Sequence, residues 1–455
     1  MFNARQPRES KMKKVLMIAH VFPPFRSVGH SIRVVKFIKY LPALGWLPVV
    51  LTIDDQMEYG DYLKQGSESL LSDIPQEVSI NRTIAGEPSL EFLEKEERYG
   101  HRNWFSAVIA KVLGGARRWI FRNLLLPDPH VAWLPFALWR GRQIVRKEGI
   151  DVIFATCPPH SATLIGACLK RLTGKPLVLD FRDDWIDTPW HHSRSKIIRM
   201  IERKMESWVI KEADKVILVT EFSRNAFLKR YPKQPSEKFV FISNGVDLGE
   251  FDFLNSMPAQ PRTPNFTILH AGSLNDSKFW TRTPTALFKA IQRIQQQRPD
   301  LVKNFTLAFT GRLPERQMSL VKEMGLINVV KELGFLSHDD LLRFMKRSEA
   351  LLVINYEGFA TLIPGKIYEY WAVGGPPILL LSCPGAASSL VEKYNLGIAV
   401  DFDDITGIEQ AIMAVYDQSK SATPLRLNTS GIEAFDRKAL SCKLAEIFSN
   451  LSNGQ

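Results

Sequence analysis

The feature that most constrains this chain is a rhythm that runs through it twice. Short apolar runs alternate with stretches of helical periodicity, and a proline-rich linker at 254–264 separates the two series. In the first series the runs fall at 13–20, 49–53, 151–156, 176–181, 215–220 and 238–243. Between them lie helical patterns at 31–44, 161–172 and 196–212. Ile32, Val35, Phe37, Ile38 and Leu41 form the apolar face of the first of these. The second series restarts at 266–270 and continues through 305–310, 329–330, 350–355, 378–381 and 398–400, with helices expected at 284–296 and 339–347. Strand, helix, strand with apolar strands demands parallel pairing and helices on the sheet faces. The fold class read from the pattern is therefore α/β, in two units of similar size: 12–252 and 264–428. Two such units make the cleft between them the expected binding site. Residues 55–100 are charged and irregular and read as an insertion.

Composition narrows the partners. At 455 residues the chain exceeds one core, and 45% hydrophobic with 24% charged residues is ordinary for a globular protein. No run of about eighteen apolar residues occurs, so a spanning helix is not expected. Residues 1–14 lack an apolar signal core, which predicts a cytoplasmic protein. The four cysteines, Cys157, Cys168, Cys383 and Cys442, have neither paired nor metal-ligand spacing, so no disulfide framework and no metal site are expected. A net charge of +11 favours an anionic partner: nucleic acid, acidic lipid or a phosphate-bearing substrate. No nucleic-acid-binding motif supports the first. Between about 101 and 147 cations such as Arg117, Arg118, Arg122, Arg140, Arg142 and Arg146 interleave with Trp104, Trp119, Phe121, Trp133, Phe136 and Trp139. That mixture reads either as a helix lying in a membrane interface or as an amphipathic helix on its own domain.

The stretch 364–381 carries the clearest chemistry. Pro364 suits a helix start, and Gly374-Gly375-Pro376-Pro377 stops the helix before a buried strand at 378–381. Lys366 and Glu369, three apart, share one face near the helix N-terminus, where free N–H groups and the dipole attract anions. A diphosphate beside Lys366 and a ribose diol on Glu369 fit this face; an ordinary surface ion pair fits the spacing as well. Arg182, Asp183 and Asp184 follow a buried strand, where open sheets place reactive groups, and one carboxylate there can take or hold an acceptor proton. His20 and His270 each end the first strand of a series. Gly29 offers backbone for close approach to a phosphate. Lys278 and Arg282 flank a loop expected on the same side as Pro364. A nicotinamide dinucleotide is set aside because the glycine fingerprint is absent.

Five pieces, Phe22-Pro23-Pro24 through Gly29, Arg33, Lys36-Phe37, Leu41 and Gly45; Asp180-Phe181-Arg182-Asp183-Asp184-Trp185; Asn244-Gly245-Val246-Asp247; His270-Ala271-Gly272-Ser273; and Pro364-Gly365-Lys366-Ile367-Tyr368-Glu369-Tyr370, occur in order across residues 13–400. The ordered set resembles the retaining glycosyltransferases of family 4, which have the GT-B fold of two Rossmann-like domains. The second and fifth pieces are most similar to the branch that builds bacterial surface polysaccharides. The resemblance implies a hexosyltransferase-type enzyme (EC 2.4) that moves a sugar from a nucleoside-diphosphate sugar to a glycan acceptor, polyprenyl-linked, on the inner face of the membrane. It implies that Glu369 holds the donor ribose, while Gly29 and Gly272 present backbone to the donor. Lys366, Lys278, Arg282 and Arg312 would neutralise the diphosphate, and Asp183, with Arg182, would lie near the anomeric carbon. No metal or other cofactor would be required. A C-terminal helix within 429–455 would cross back onto the first domain. Two positions depart from the family pattern: Thr361 stands for the first of two paired glutamates, and Ser273 for an arginine. Two other readings share the fold: a catalytically degenerate sugar-nucleotide-binding or membrane-docking protein, and a sugar-nucleotide epimerase.

Overall fold

The computed structural model of the chain describes residues 12–24, 28–54, 68–85, 125–186, 188–255, 265–272, 274, 284–334, 336–355, 359–421 and 427–454. Two all-parallel sheets organise them. The first contains β1 (Lys13–Ile18), β2 (Trp46–Ile53), β3 (Ser79–Thr83), β4 (Val152–Cys157), β5 (Leu177–Phe181), β6 (Lys215–Leu218) and β7 (Phe239–Phe241), in the order β3-β2-β1-β4-β5-β6-β7. The second contains β8 (Phe266–His270), β9 (Phe305–Phe309), β10 (Val330–Glu332), β11 (Ala350–Ile354), β12 (Ile378–Leu381) and β13 (Gly397–Val400), in the order β10-β9-β8-β11-β12-β13. The central strands β4, β5, β8 and β11 are buried along their whole length, which is why they read as unbroken apolar runs rather than alternating ones.

Helices cover both faces. On one face of the first sheet lie the helices Leu134–Glu148, Ser161–Thr173, Lys196–Glu212 and Glu221–Arg230, packed side by side over one apolar cluster. On the other lie Val28–Tyr40 and the last helix, Arg437–Asn453, whose Leu440, Leu444 and Phe448 enter the core of the first sheet. The Phe448 ring meets Trp46 and Phe154 edge-on at 5.2 and 5.9 Å. Side-chain caps start several helices: Ser195, Thr220, Ser337 and Asp404 each accept a backbone N–H of the first turn.

The structure differs from the sequence reading in places. The first helix spans Val28–Tyr40 rather than 31–44, and a short 3₁₀ turn, Pro42–Leu44, with Gly45 left-handed at φ 82°, finishes the connection. Gly29 thus lies in the first helical turn, not in a loop. The segment taken as irregular contains the short helix Glu68–Ser72 and the edge strand β3. That strand, Ser-Ile-Asn-Arg-Thr, has too little apolar character to announce itself; pairing with β2 makes it a strand. The helices Glu315–Glu323 and Ile405–Lys420 complete the second unit. No helix among the described residues is long and apolar enough to cross a membrane.

The chain passes between the sheets twice, side by side. Val246, Phe251 and Leu254 pack into the second sheet's core, as do Leu427, Ile432 and Phe435 before the last helix returns to the first. At the crossing Val246 N–H donates to the Phe435 carbonyl at 3.1 Å, and Arg437 N–H donates to the Val246 carbonyl at 2.9 Å. A Cβ on Gly245 would collide with that Phe435 carbonyl, so the approach needs glycine there.

Buried charge then fixes the first helix to this crossing. Arg33, 2% exposed, grips Asp180, 0% exposed, with Nη2 to Oδ1 at 2.9 Å, and also donates to the Ser243 and Ile242 carbonyls at 2.5 and 2.9 Å. Thr156 donates to Asp180 at 2.8 Å. One helical turn on, Lys36 reaches Asp73, Asp247 and Glu250 at 2.5, 2.9 and 2.6 Å, and Tyr40 donates to Asp247 at 2.7 Å. Burial opposes ionisation of Asp247, but Lys39, Tyr40 and Lys36 prevail and hold its carboxyl at about 2. This stabilisation is complete above the ordinary pKa of 3.8 and disappears as pH falls toward 2. Asp180→Ala is expected to cost about 3–5 kcal/mol, because it strands the Arg33 guanidinium in the core. Equilibrium urea unfolding measures it, and a loss under about 1 kcal/mol would contradict the account.

Candidate active site

Both sheets present their carboxyl ends to a common crevice. Thr361, in the loop between β11 and the helix Gly365–Val373, donates to Asp184 Oδ2 at 3.2 Å, and its carbonyl accepts from Thr220 Oγ1 at 2.6 Å. Asp184 follows β5 and Thr220 follows β6, so one threonine of the second unit bridges two strand ends of the first. The sequence reading singled out Thr361 only as a departure from a family pattern. Its use as a hydroxyl donor between domains arises only in the folded chain.

The Gly365–Val373 helix forms the opposite wall. Pro364 precedes it, and Ile367, Tyr368, Tyr370 and Trp371 are buried beneath, leaving Lys366 and Glu369 on the remaining face. The Lys366 ammonium lies against Gly272, in the loop after β8: a Cβ built on Gly272 would come within 2.7 Å of Nζ, and its φ of 116° independently favours glycine. Gly272 N–H donates to Thr310 at 2.8 Å. Tyr370 locks the two elements together: its hydroxyl accepts the Ala271 N–H at 2.9 Å and donates to the Leu352 carbonyl at 3.4 Å. Lys366, Gly272 and the helix N-terminus therefore form one cationic corner. Glu369 lies one turn deeper and half-buried, and accepts no hydrogen bond from the described residues. Burial pushes its carboxyl upward, while Lys366 and His338 pull it back. An acceptor-only group held without donors is suited to a vicinal diol.

The other candidates separate. Arg182, 9% exposed, donates through Nε to the Cys157 carbonyl at 3.1 Å and through Nη2 to the Pro158 carbonyl at 2.7 Å. Those bonds hold the loop after β4 against the loop after β5. Asp183 is half-buried beside Arg182. Arg312 is exposed beyond β9. His270 is fully buried with Nδ1 2.9 Å from the Leu352 carbonyl, and His20 packs its ring 4.2 Å from that of His130; both belong to the interior. His160, after β4, stacks on Trp185 at 5.0 Å and burial lowers its pKa to about 4, so it is neutral at pH 7. Lys278, Arg282 and Ser273 lie outside the described residues, as does 102–124 of the basic aromatic segment. Within the rest of that segment Trp133 is core and Trp139 is exposed.

Two Rossmann-like units that meet over a crevice, with a lysine at a helix N-terminus on the second, define the GT-B class. Comparison with known proteins adds the activity. Residues 111–250 match the model described as Glycosyltransferase Family 4, and residues 261–430 match Glycosyl transferases group 1. The chain is a glycosyltransferase of the GT-B type. A search of curated proteins gave no match. Among solved structures, sucrose-phosphate synthase from Thermosynechococcus elongatus is similar with a TM-score of 0.65 and 16% identity, covering 97% of this chain and 100% of that one. A glycosyltransferase from Rickettsia africae ESF-5 has a TM-score of 0.62 and 15% identity, covering 97% and 99%. The apo form of the lipopolysaccharide outer core galactosyltransferase WaaB has a TM-score of 0.57 and 14% identity, covering 96% and 99%. These likenesses concern the fold.

Because Glu369 titrates above the ordinary carboxyl range, nucleoside diphosphate affinity should fall as pH drops through its raised pKa, when the acceptor oxygens become protonated. Isothermal titration against pH checks this. Glu369→Gln should bind more weakly and lose the pH step, and an identical step in that variant would exclude Glu369 as its source.

Proposed function

We propose that the protein transfers a hexose from a nucleoside-diphosphate sugar to a polyprenyl-linked glycan, with retention, in the assembly of a cell-surface polysaccharide. The observation that carries the donor half is the cationic corner of Lys366 and Gly272 with Glu369 one turn away on the same helix. The diphosphate sits on the Lys366 ammonium and the helix N-terminus, with Arg312, Lys278 and Arg282 as further cations, and Glu369 accepts from the ribose hydroxyls. Gly29, in the first turn of its helix, offers backbone N–H from the opposite lobe. As the bond from the anomeric carbon to the diphosphate oxygen breaks, negative charge grows on the leaving group where these cations already stand. The acceptor hydroxyl then bonds to the anomeric carbon on the face the diphosphate leaves, and Asp183 takes or holds its proton. Arg182 keeps the Asp183 loop in place. The chemistry as read needs no metal, and the acceptor lipid places the enzyme on the inner face of the membrane. The exposed Trp139 supports this acceptor class over a soluble one.

Release of nucleoside diphosphate from a panel of nucleotide sugars, with bacterial lipid extract as acceptor source, tests the proposal. Lys366→Ala should lower kcat by roughly 10²–10³-fold, the usual loss when one stabiliser of developing charge is removed. Binding of sugar nucleotides without any turnover would instead favour a degenerate binding protein, and a product still linked to nucleotide would favour an epimerase.

A further inference from the structure

We propose that the outer side of the helical layer on the first sheet is a docking face for an anionic lipid bilayer, with a headgroup notch between the helices Leu134–Glu148 and Ser161–Thr173. The inference rests on the membrane-bound reading above and names the surface that performs it. Phe136, Trp139 and Leu172, then Ile197, Met200 and Ile201, are exposed on this one layer, Trp139 by 67% and Ile197 by 69%. Phe136 and Trp139 are three apart, and Ile197, Met200 and Ile201 lie at three and four, so each set forms one stripe. The described part of the second domain exposes only Ile327 and Leu333 among large apolar side chains; elsewhere on the first domain Met12, Leu71, Ile80, Ile84 and Phe222 are exposed, but none of them lies on the helices Leu134–Glu148, Ser161–Thr173 and Lys196–Glu212.

Charge decides what covers it. All four glutamates on the helices Leu134–Glu148, Ser161–Thr173 and Lys196–Glu212 are engaged: Glu148 with Lys14 at 2.7 Å, Glu202 with Arg194 at 2.5 Å, Glu206 with Arg230 at 2.7 Å and Glu212 with Arg171 at 2.8 Å. Arg142, Arg146, Lys196, Arg203 and Lys204 pair with no carboxylate among the described residues. Leu138, Trp139, Arg142, Gln143, Arg146 and Leu172 line a notch of about 420 Å³, two guanidiniums one turn apart beside apolar walls. Unpaired cations around exposed aromatic and aliphatic side chains complement a bilayer interface, where the rings enter below the headgroups and the cations meet phosphate.

Topology gives the face its use. The Lys196–Glu212 helix follows β5 through the segment 182–195, so Ile197, Met200 and Ile201, in its first two turns, lie toward the end of the sheet where the strands' carboxyl ends face the crevice. A bilayer seated there delivers a lipid-linked hydroxyl to that end without lifting the chain from the membrane.

Flotation of the whole protein with phosphatidylcholine vesicles, with and without phosphatidylglycerol, tests the assignment. Binding should require phosphatidylglycerol and weaken with salt. Arg142→Ala with Arg146→Ala, and separately Ile197→Ser with Met200→Ser, should each lower partitioning roughly tenfold or more, with unfolding midpoints unchanged. Lys322→Ala with Lys331→Ala on the second domain should leave it unchanged. Equal binding to neutral vesicles would overturn the anionic assignment. Unaltered flotation of both face variants would overturn this surface while leaving the membrane-bound reading standing. Failure of the unmodified protein to float would remove both.

Discussion

Two backbone segments lying against each other, 245–247 and 435–437, determine what this molecule is. Each carries the chain from one sheet to the other, and each donates an N–H to the other's carbonyl. Because both crossings occupy one place, the backbone ties the two sheets there, and Thr361 joins them again across the crevice through Asp184 and Thr220. Gly245 makes the approach sterically possible. Arg33, paired with Asp180, anchors the first sheet to the same place, donating to the carbonyls of Ile242 and Ser243.

The site obeys the economy expected of functional surfaces. Every buried acid near the crossing has partners: Asp180 has Arg33 and Thr156, while Asp247 has two lysines and a tyrosine. Glu369 has no hydrogen-bond donor of its own among the described residues. Its acceptor oxygens differ in that respect from those of Asp180 and Asp247. Lys366 is held differently, pressed against a residue without a side chain so that its ammonium can stand at the helix end. Tyr370, next in sequence to Glu369, transmits the position of β8 and β11 to that helix through one hydroxyl.

Parts of this were legible early. The two series of apolar runs gave the sheets because strands buried on both faces must be uniformly apolar, and Lys366 with Glu369 shared a face because helix geometry leaves no alternative. The edge strand β3 was not legible, since an edge strand is made by its neighbour more than by its own residues. Asp183 and Asp184 could not be told apart by position in sequence; one side chain turns to Thr361 and Arg230, the other lies beside Arg182. Arg182 stood in the sequence beside two candidate acids, and only the fold shows that it also donates to the Cys157 and Pro158 carbonyls. The basic aromatic segment read as one feature, whereas Trp133 is wholly buried and Trp139 largely exposed.

The sequence by itself determined the α/β class, the division into two units and the helix that carries Lys366 and Glu369. Those depend on local periodicity and on what glycine and proline permit, which a chain encodes residue by residue. Tertiary structure alone decided which strand ends meet, that Thr361 spans the crevice, that Gly272 faces a lysine, and which cations on the first domain's outer helices find no carboxylate among the described residues. Such facts depend on contacts between residues hundreds of positions apart, and only the folded chain brings those within hydrogen-bonding distance.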